Sequence, residues 1–362
     1  MHILLVINNL SPGTGPFQRA IKFKRPVRVS VVSLFDSQQR VEEVASQFGA
    51  DTRHLKIYGL GARNKISALF AFHNVSKKID PDIIQSAHTF TDVASLVVKA
   101  LSRKAVIAFE GTLVTRWSLP KRYFVLVAHA LMDKVICVSN VTCQVNSSVN
   151  TFLSKLTRRV VIYNGVDLSL VQTKDSNGEK ECSDKFIVGY TGDLKPDKNI
   201  HLLVRALSKF ECGSTNVELV LVGAGPDRKF LERLSAELGV NVVFTGQVSR
   251  VEVFHKLKTF DVFVMPSLVE GLSESIVQAM ASKVPVLVSD IEPNREPVID
   301  NYSGLLFKSG DYDSLYQRLK LILEGHVDLE SLTENAYDFV VNNLDVDDIV
   351  KRYVQEYAKA LS

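Results

Sequence analysis

The feature that most limits what this chain can become is a rhythm that runs through it twice. In the first half the short apolar runs "HILLVIN", "VRVSVVSLF", "DIIQSA", "AVIAFEG" and "KVICVS" are continuous rather than alternating. Strands covered on both faces of a parallel sheet need that pattern. The amphipathic segments "ISALFAFHNVSKKI" and "DVASLVVKALSRK" separate them with helical spacing. The second half begins again with "FIVGYTG", "VELVLVGAG", "VVFTG", "DVFVMPS", "VPVLVSD" and "SGLLF", interleaved with "NIHLLVRALSKF", "DRKFLERLSAELG" and "VFHKLKTF". Strand–helix alternation of this kind predicts an α/β chain with two doubly wound domains. The boundary is expected near the most polar stretch, "KDSNGEKECSDK". The expected domains are 1–168 and 169–345. Residues 346–362 form a closing amphipathic helix, acidic first and basic later, that can cross back to the first domain. One step is irregular. "NLSPGTGPFQRAIKFKRP" leaves room for two helical turns at most between the first two strands, less than a crossover usually needs.

The 362 residues and 46% apolar content allow a large core. No apolar run approaches the roughly eighteen residues that span a bilayer. "MHILLVINNL" has no basic leader or cleavage site and is expected to be a first buried strand. Cys137, Cys143, Cys182 and Cys212 lack metal-ligand spacing, which favours a reduced, cytoplasmic protein with structural thiols and no metal. Net charge is only +3, but residues 1–168 hold 22 Lys and Arg against 10 Asp and Glu, and the remainder holds 21 against 30. Basic clusters such as "FKRP" and "RWSLPKR" lie in the first half. The asymmetry points to an anionic partner there, a membrane surface, a phospholipid-linked substrate or nucleic acid, unless it is ordinary surface charge.

Three motifs follow strands, where open α/β sheets bind ligands. In "TGDLKPDKN" Gly192 lets the backbone come close to a ligand and Lys198 offers a point charge to a phosphate; a solvated turn is the alternative. "LVGAGPD", with Gly223, has half a dinucleotide fingerprint and Arg228 in place of the third glycine. That argues against an NAD enzyme, as does "NNLSPGTGPF" after the first strand. "PSLVEGLSESIVQAMA" is the most specific. Pro266 stops a strand, Ser273 is a plausible N-cap, and the helix from 274 points its amino end, suited to a diphosphate, back toward the strand ends. Glu270 precedes that helix and Gln278 lies about one turn inside it.

These motifs together resemble glycosyltransferase family 4, the retaining group with the GT-B fold. The run from "FIVGYTGDLKPDKN" to "SGLLFKSGDYDSL" carries the likeness, and "PDIIQSAHTFTDVASL", "KVICVS" and "IYNGVD" extend it loosely into the first half. The resemblance implies two Rossmann-like domains facing across a cleft, with the acceptor on the first and a nucleotide sugar on the second. It implies that Gly192, residue 193 and Lys198 meet the donor diphosphate. Glu270 would meet the sugar, Gln278 the ribose, and Gln247 and Val248 of "TGQVS" the base. Backbone N–H groups of Leu272, Ser273, Glu274 and Ser275 would hold the phosphates, with no metal and no cofactor beyond the sugar nucleotide, UDP favoured over GDP.

The chain departs from the family pattern at three places. Asp193 stands where an Arg is usual, Gln278 replaces the second of two glutamates, and "AFEGT" puts Glu110 where a histidine is common. His88 in "SAHTF" lies near a family histidine but out of register. Glu110 and His88 are carried as catalytic candidates, His88 with a purely structural role as the alternative. The expected function is hexosyl transfer onto a glycan or lipid-linked acceptor in cell-surface polysaccharide or lipopolysaccharide synthesis. The enzyme would be cytoplasmic or peripheral on the inner membrane, with an anionic membrane surface as a further partner and no nucleic acid. The alternative is a non-catalytic nucleotide-sugar-binding subunit of a two-chain transferase, which Asp193 and Gln278 would suit.

Overall fold

The computed structural model describes residues 1–10, 15–24, 26–48, 52–111, 118–148, 151–171, 185–210 and 216–362. Arg25, Arg116, Trp117, Cys182, Cys212 and the polar stretch up to Asp184 lie outside them. The chain divides into two compact units, Met1–Gly165 with Val346–Ser362, and Val166–Asp345.

The first unit holds strands β1 (His2–Ile7), β2 (Arg28–Ser33), β3 (Lys56–Gly59), β4 (Ile83–Ser86), β5 (Ala105–Glu110), β6 (Lys134–Cys137) and β7 (Arg159–Val161). Between them run helices α1 (Gly15–Lys22), α2 (Gln38–Ser46), α3 (Lys65–Ile79), α4 (Thr89–Ser102), α5 (Leu119–Ala130), α6 (Asn140–Ser148) and α7 (Thr151–Leu156). The sheet is parallel in the order β3-β2-β1-β4-β5-β6-β7. β-Branched side chains on both strand faces explain why β1, β2 and β5 are buried almost end to end. Phe72 of α3 and Val98 of α4 close over Leu4, Val6 and Ile84. A reciprocal cap starts α3, where the Asn64 carboxamide accepts from the Ser67 N–H at 2.9 Å and the Ser67 hydroxyl accepts from the Asn64 N–H at 3.2 Å. The short first crossover is α1, eight residues long. The sequence pattern did not suggest β3, because this edge strand is half-exposed and lacks a continuous apolar run.

The second unit begins with α8 (Leu168–Val171) and holds β8 (Phe186–Thr191), α9 (Ile200–Leu207), β9 (Val217–Val222), α10 (Arg228–Leu238), β10 (Val242–Gly246) and α11 (Arg250–Leu257). It continues with β11 (Val262–Met265), α12 (Glu274–Ala281), β12 (Val286–Ser289), β13 (Leu305–Phe307), α13 (Tyr312–Leu323) and α14 (Leu329–Asn343). Its parallel sheet runs β10-β9-β8-β11-β12-β13. The last helix, α15 (Val346–Leu361), belongs to the first unit. Its Tyr353 and Tyr357 are buried there, Tyr357 donates to the Gln85 carboxamide of β4, and Glu356 pairs with Lys134 at 2.6 Å.

Both sheets reverse their strand order once, between β1 and β4 and between β8 and β11. The loops at the carboxyl ends of those strand pairs diverge and leave a crevice, so a doubly wound sheet binds ligands at this point.

Candidate active site

In the second unit the crevice is shaped by backbone. The loop after β8 is fastened to the loop after β9: Gly192 N–H donates to Val222 at 2.9 Å, Leu194 N–H to Ala224 at 3.0 Å, and Asp227 N–H to Leu194 at 3.0 Å. Gly223 has φ +141°, and a Cβ there would stand 1.9 Å from the Gly192 carbonyl oxygen. Its glycine is therefore needed for loop–loop packing, whatever it does for a ligand. Gly192 also has a positive φ, +142°, and a Cβ there would come within 2.9 Å of the Tyr190 hydroxyl. That hydroxyl is buried and donates to the Asp193 carbonyl at 2.9 Å, so the turn is held from below.

A single 3₁₀ turn, Pro196–Lys198, leads into α9. The loop after β11 is tied to it by the Leu268 N–H, which donates to the Asp197 carbonyl at 2.9 Å. This tie lets Lys198 and Glu270, 72 residues apart, meet at 2.6 Å. The Glu270 carboxylate is 9% exposed and the Lys198 side chain 20%, so the pair is largely out of water yet reachable. Ser273 is the N-cap of α12, but its side chain makes no capping hydrogen bond. The amino end of α12 thus presents its N–H groups beside Glu270, with Leu272 and Ser273 buried and Glu274 and Ser275 half-buried. Gln278 is half-buried one turn along, and Gln247 is exposed and Val248 half-buried in the turn after β10. Asp193 is solvent-exposed and pairs with Lys195. An ion pair at such a position contributes little to stability. Arg250, the first residue of α11, escaped the sequence reading. Burial depresses its pKa, opposed by the Glu274 and Asp167 carboxylates, and its Nε has no hydrogen-bond partner.

In the first unit the crevice opens into a cavity of about 670 Å³ at the ends of β1, β4 and β5. Asn8, His88, Asp92, Glu110 and His129 are on its wall, with aromatic rings such as Phe90 and Phe109. His88, at the N-cap of α4, is open to the cavity. The enclosing wall disfavours its charged form and lowers its pKa, against the pull of Asp92. The Glu110 side chain is buried, with one oxygen held by a cation and the other facing a second cation at longer range without a hydrogen bond. Arg159 Nη1 stands 2.5 Å from one and His129 Nδ1 3.5 Å from the other. His129 Nε2 also lies 3.3 Å from Asp92. Burial alone would neutralise His129, but the two carboxylates outweigh it and push its pKa up to about 9. Glu110 responds in the opposite sense. Burial raises its pKa, but His129 and Arg159 together hold it below the usual carboxylate value. The result is a closed set of two anions and two cations drawn from α4, β5, α5 and β7. The sequence reading found only Glu110 of this set; Asp92, His129 and Arg159 share no local motif. Among the described residues no group of three or more His, Cys, Asp or Glu could hold a metal ion, and no helix is long and apolar enough to cross a membrane.

Two adjoining family models match this chain, glycosyltransferase family 4 over residues 23–170 and glycosyl transferases group 1 over residues 171–339. An uncharacterized glycosyltransferase of Methanocaldococcus jannaschii, MJ1178, is 25% identical over 79% of this chain and 78% of its own length. The UDP-Gal:alpha-D-GlcNAc-diphosphoundecaprenol alpha-1,3-galactosyltransferase of Escherichia coli is 24% identical over 79% of this chain and 77% of its own. The solved structure of Anabaena HepE in complex with UDP-glucose matches 99% of this chain and 100% of HepE, with a TM-score of 0.84 at 20% identity. The sucrose-phosphate synthase of Thermosynechococcus elongatus matches with a TM-score of 0.84 at 18% identity, over 99% of this chain and 98% of the synthase. With a six- and a seven-stranded Rossmann-like sheet and both family models side by side, this chain belongs to the GT-B glycosyltransferases of family 4.

Proposed function

We propose that the chain is a retaining, metal-independent hexosyltransferase that takes its sugar from a UDP-sugar bound on the second unit. It delivers that sugar to a glycan or lipid-linked acceptor bound in the cavity of the first, on the cytoplasmic side, in the synthesis of a cell-surface polysaccharide. The observation that carries this reading is the Lys198–Glu270 pair beside the amino end of α12. Lys198 and the N–H groups of that helix supply the positive potential that a departing diphosphate needs, a task that a divalent metal performs in other transferases. Glu270 is then a fixed anion against the positive charge that develops on the sugar ring. In a retaining transfer the anomeric carbon–phosphate oxygen bond breaks, the acceptor oxygen bonds to the same face, and the departing phosphate takes the acceptor proton. A uridine donor is favoured because the named E. coli relative uses UDP-galactose and HepE was solved with UDP-glucose.

The test combines binding with turnover. A thermal-shift panel of uridine, guanosine and adenosine diphosphates and their sugars should single out the uridine set. Glu270→Ala should keep the fold and lose roughly 10²–10³ in transfer rate. Retention of most of the activity would remove Glu270 from the reaction. The exposed Asp193–Lys195 pair, where the family has an Arg, keeps a second reading in play: a donor-binding subunit of a two-chain transferase. A wild-type chain that binds UDP-sugar but neither hydrolyses nor transfers it would establish that reading.

A further inference from the structure

Among the described residues two cysteines meet in one place, and the transfer reading uses neither. Cys137 is the last residue of β6 and is fully buried. Cys143 is the fourth residue of α6 and is half-buried, so solvent reaches it. The turn between them is held by Ser139. Its hydroxyl accepts from the Thr142 N–H at 3.0 Å and donates to the Thr142 hydroxyl at 2.8 Å, and its carbonyl accepts from the Cys143 N–H at 3.0 Å. The helix so started packs on β6 and β7. Cys143 thereby lies against the core cluster that contains Cys137, and the two thiols are hydrogen-bonded to each other.

Their surroundings give the two thiols different roles. The Cys137 thiol stands 3.4 Å from Glu110 Oε2, to which it can donate, and Arg159 Nη1 lies 3.7 Å from its sulfur. A thiol has one proton to give. Glu110 Oε2 already accepts from Arg159, so that proton can turn to Cys143 instead. Shared in this way, it keeps Cys137 neutral and makes Cys143 the anion. The titration follows the same division. The hydrogen bond from Cys137, with Arg159 behind it, outweighs burial and lowers the Cys143 thiol to about 7, while Cys143, burial and Glu110 push Cys137 far up. Acidity alone does not make a reactive site. Such a thiol is roughly half ionised at pH 7, against a few per cent for an ordinary one, but its intrinsic nucleophilicity falls with its pKa, and the net gain is only about threefold. What singles Cys143 out is that an accessible thiolate touches a second thiol able to resolve it.

We propose that Cys143 is a modification site for peroxides and that Cys137 resolves it into a reversible disulfide. The Cys143 thiolate attacks one peroxide oxygen. An S–O bond forms, the O–O bond breaks, and the departing hydroxide takes a proton from solvent. The Cys137 sulfur then attacks the sulfur of the sulfenic acid. The S–S bond forms, the S–O bond breaks, and the leaving hydroxide takes the Cys137 proton. The two sulfurs have lost two electrons, and the peroxide has become two waters. The bond closes beside Glu110, which lines the 670 Å³ cavity. In a reducing compartment such a bond is transient and reports oxidant rather than holding the fold. No donor or acceptor takes part in it, so its failure would leave the transfer reading untouched.

The experiment is mass spectrometry of the full chain, first reduced, then treated with a small molar excess of hydrogen peroxide at pH 7, alkylated and digested. The wild type should yield a peptide pair linked through Cys137 and Cys143, and dithiothreitol should return both to free thiols. Cys137→Ser should lose the link and hold Cys143 as a sulfenic acid that dimedone captures, where the wild type shows little. Cys143→Ser should lose the link and leave Cys137 without a dimedone adduct, because the buried thiol does not meet the oxidant. If either variant fails to fold, the linkage map of the wild type decides alone. The proposal is overturned if peroxide forms no bond between 137 and 143, or if it joins either thiol to Cys182 or Cys212 instead. It is also overturned if the sulfenic acid arises on Cys137.

Discussion

The two units share one topology and put their sites at the same point of it, yet they build those sites from different material. In the second unit the crevice is made by backbone: two glycines with positive φ, loops hydrogen-bonded to each other, a 3₁₀ turn and a helix amino end, with one ion pair at their meeting point. In the first unit it is made by side chains, with a histidine cation and an arginine matched to two carboxylates beneath an open cavity. A backbone site needs particular residues at particular local spacings. A side-chain cluster needs only compatible charges brought together by packing. The second kind of site therefore concentrates more stability, and more pH sensitivity, in single residues.

The largest expected effect breaks the cluster. Arg159→Ala would leave Glu110 with His129 as its one cation, inside a region almost without solvent. Removing one partner of a buried charge set costs about 3–5 kcal/mol. Thermal unfolding of the first unit should fall by about 10 °C or more. Lys198→Ala in the second unit should cost about 1–2 kcal/mol, because its pair is closer to solvent. If the two variants melt alike, the contrast between the sites is wrong.

A smaller effect comes from pH alone. The folded-state pKa of His129 is raised to about 9, whereas the unfolded chain would titrate near 6.5. Its contribution is therefore fully present below about pH 6.5 and lost as pH rises through about 9, up to about 3 kcal/mol in all. Glu110 and Arg159 stay charged across that window and do not oppose the trend, whereas the Cys143 thiol, lowered to about 7 by Cys137 and Arg159, gains stability as pH rises and offsets part of it. Melting followed from pH 6 to pH 10 should show the first unit weakening in the alkaline half. In His129→Gln the alkaline loss should disappear. A flat profile in the wild type would mean that His129 is neutral at pH 7 and that Arg159 is the one cation holding Glu110.

The smallest effect sharpens the donor side. Gln278 offers one neutral acceptor and one neutral donor, where a carboxylate could accept two charge-assisted hydrogen bonds from a ribose. Gln278→Glu should tighten binding of uridine diphosphate by about 1 kcal/mol, a several-fold change in Kd, and Gln278→Ala should weaken it. Calorimetric titration of the three proteins gives the order directly. Equal affinities would place Gln278 away from the nucleotide.

What could be read in advance follows the same division. The strands of the second unit, the turn at Gly192 and the helix start at Ser273 were legible because each is dictated locally. Apolar runs make buried strands, Pro266 ends one, and a serine before "ESIVQAMA" starts a helix. Strand β3 was not legible, because a half-exposed edge strand needs no apolar run. His129 belongs to no motif, and nothing near Arg159 in the chain shows that it faces Glu110.

By itself, then, the sequence determined the alternation of elements, the sheet class and the family, since hydrophobic period and turn chemistry act over a few residues. Only the tertiary structure decided where charges 92, 110, 129 and 159 meet, while the crossing back of residues 346–362 was offered by the sequence and fixed by packing. Those are facts about pairs distant in the chain. Packing chooses such pairs through the burial each side chain can find, and no local rule encodes that choice.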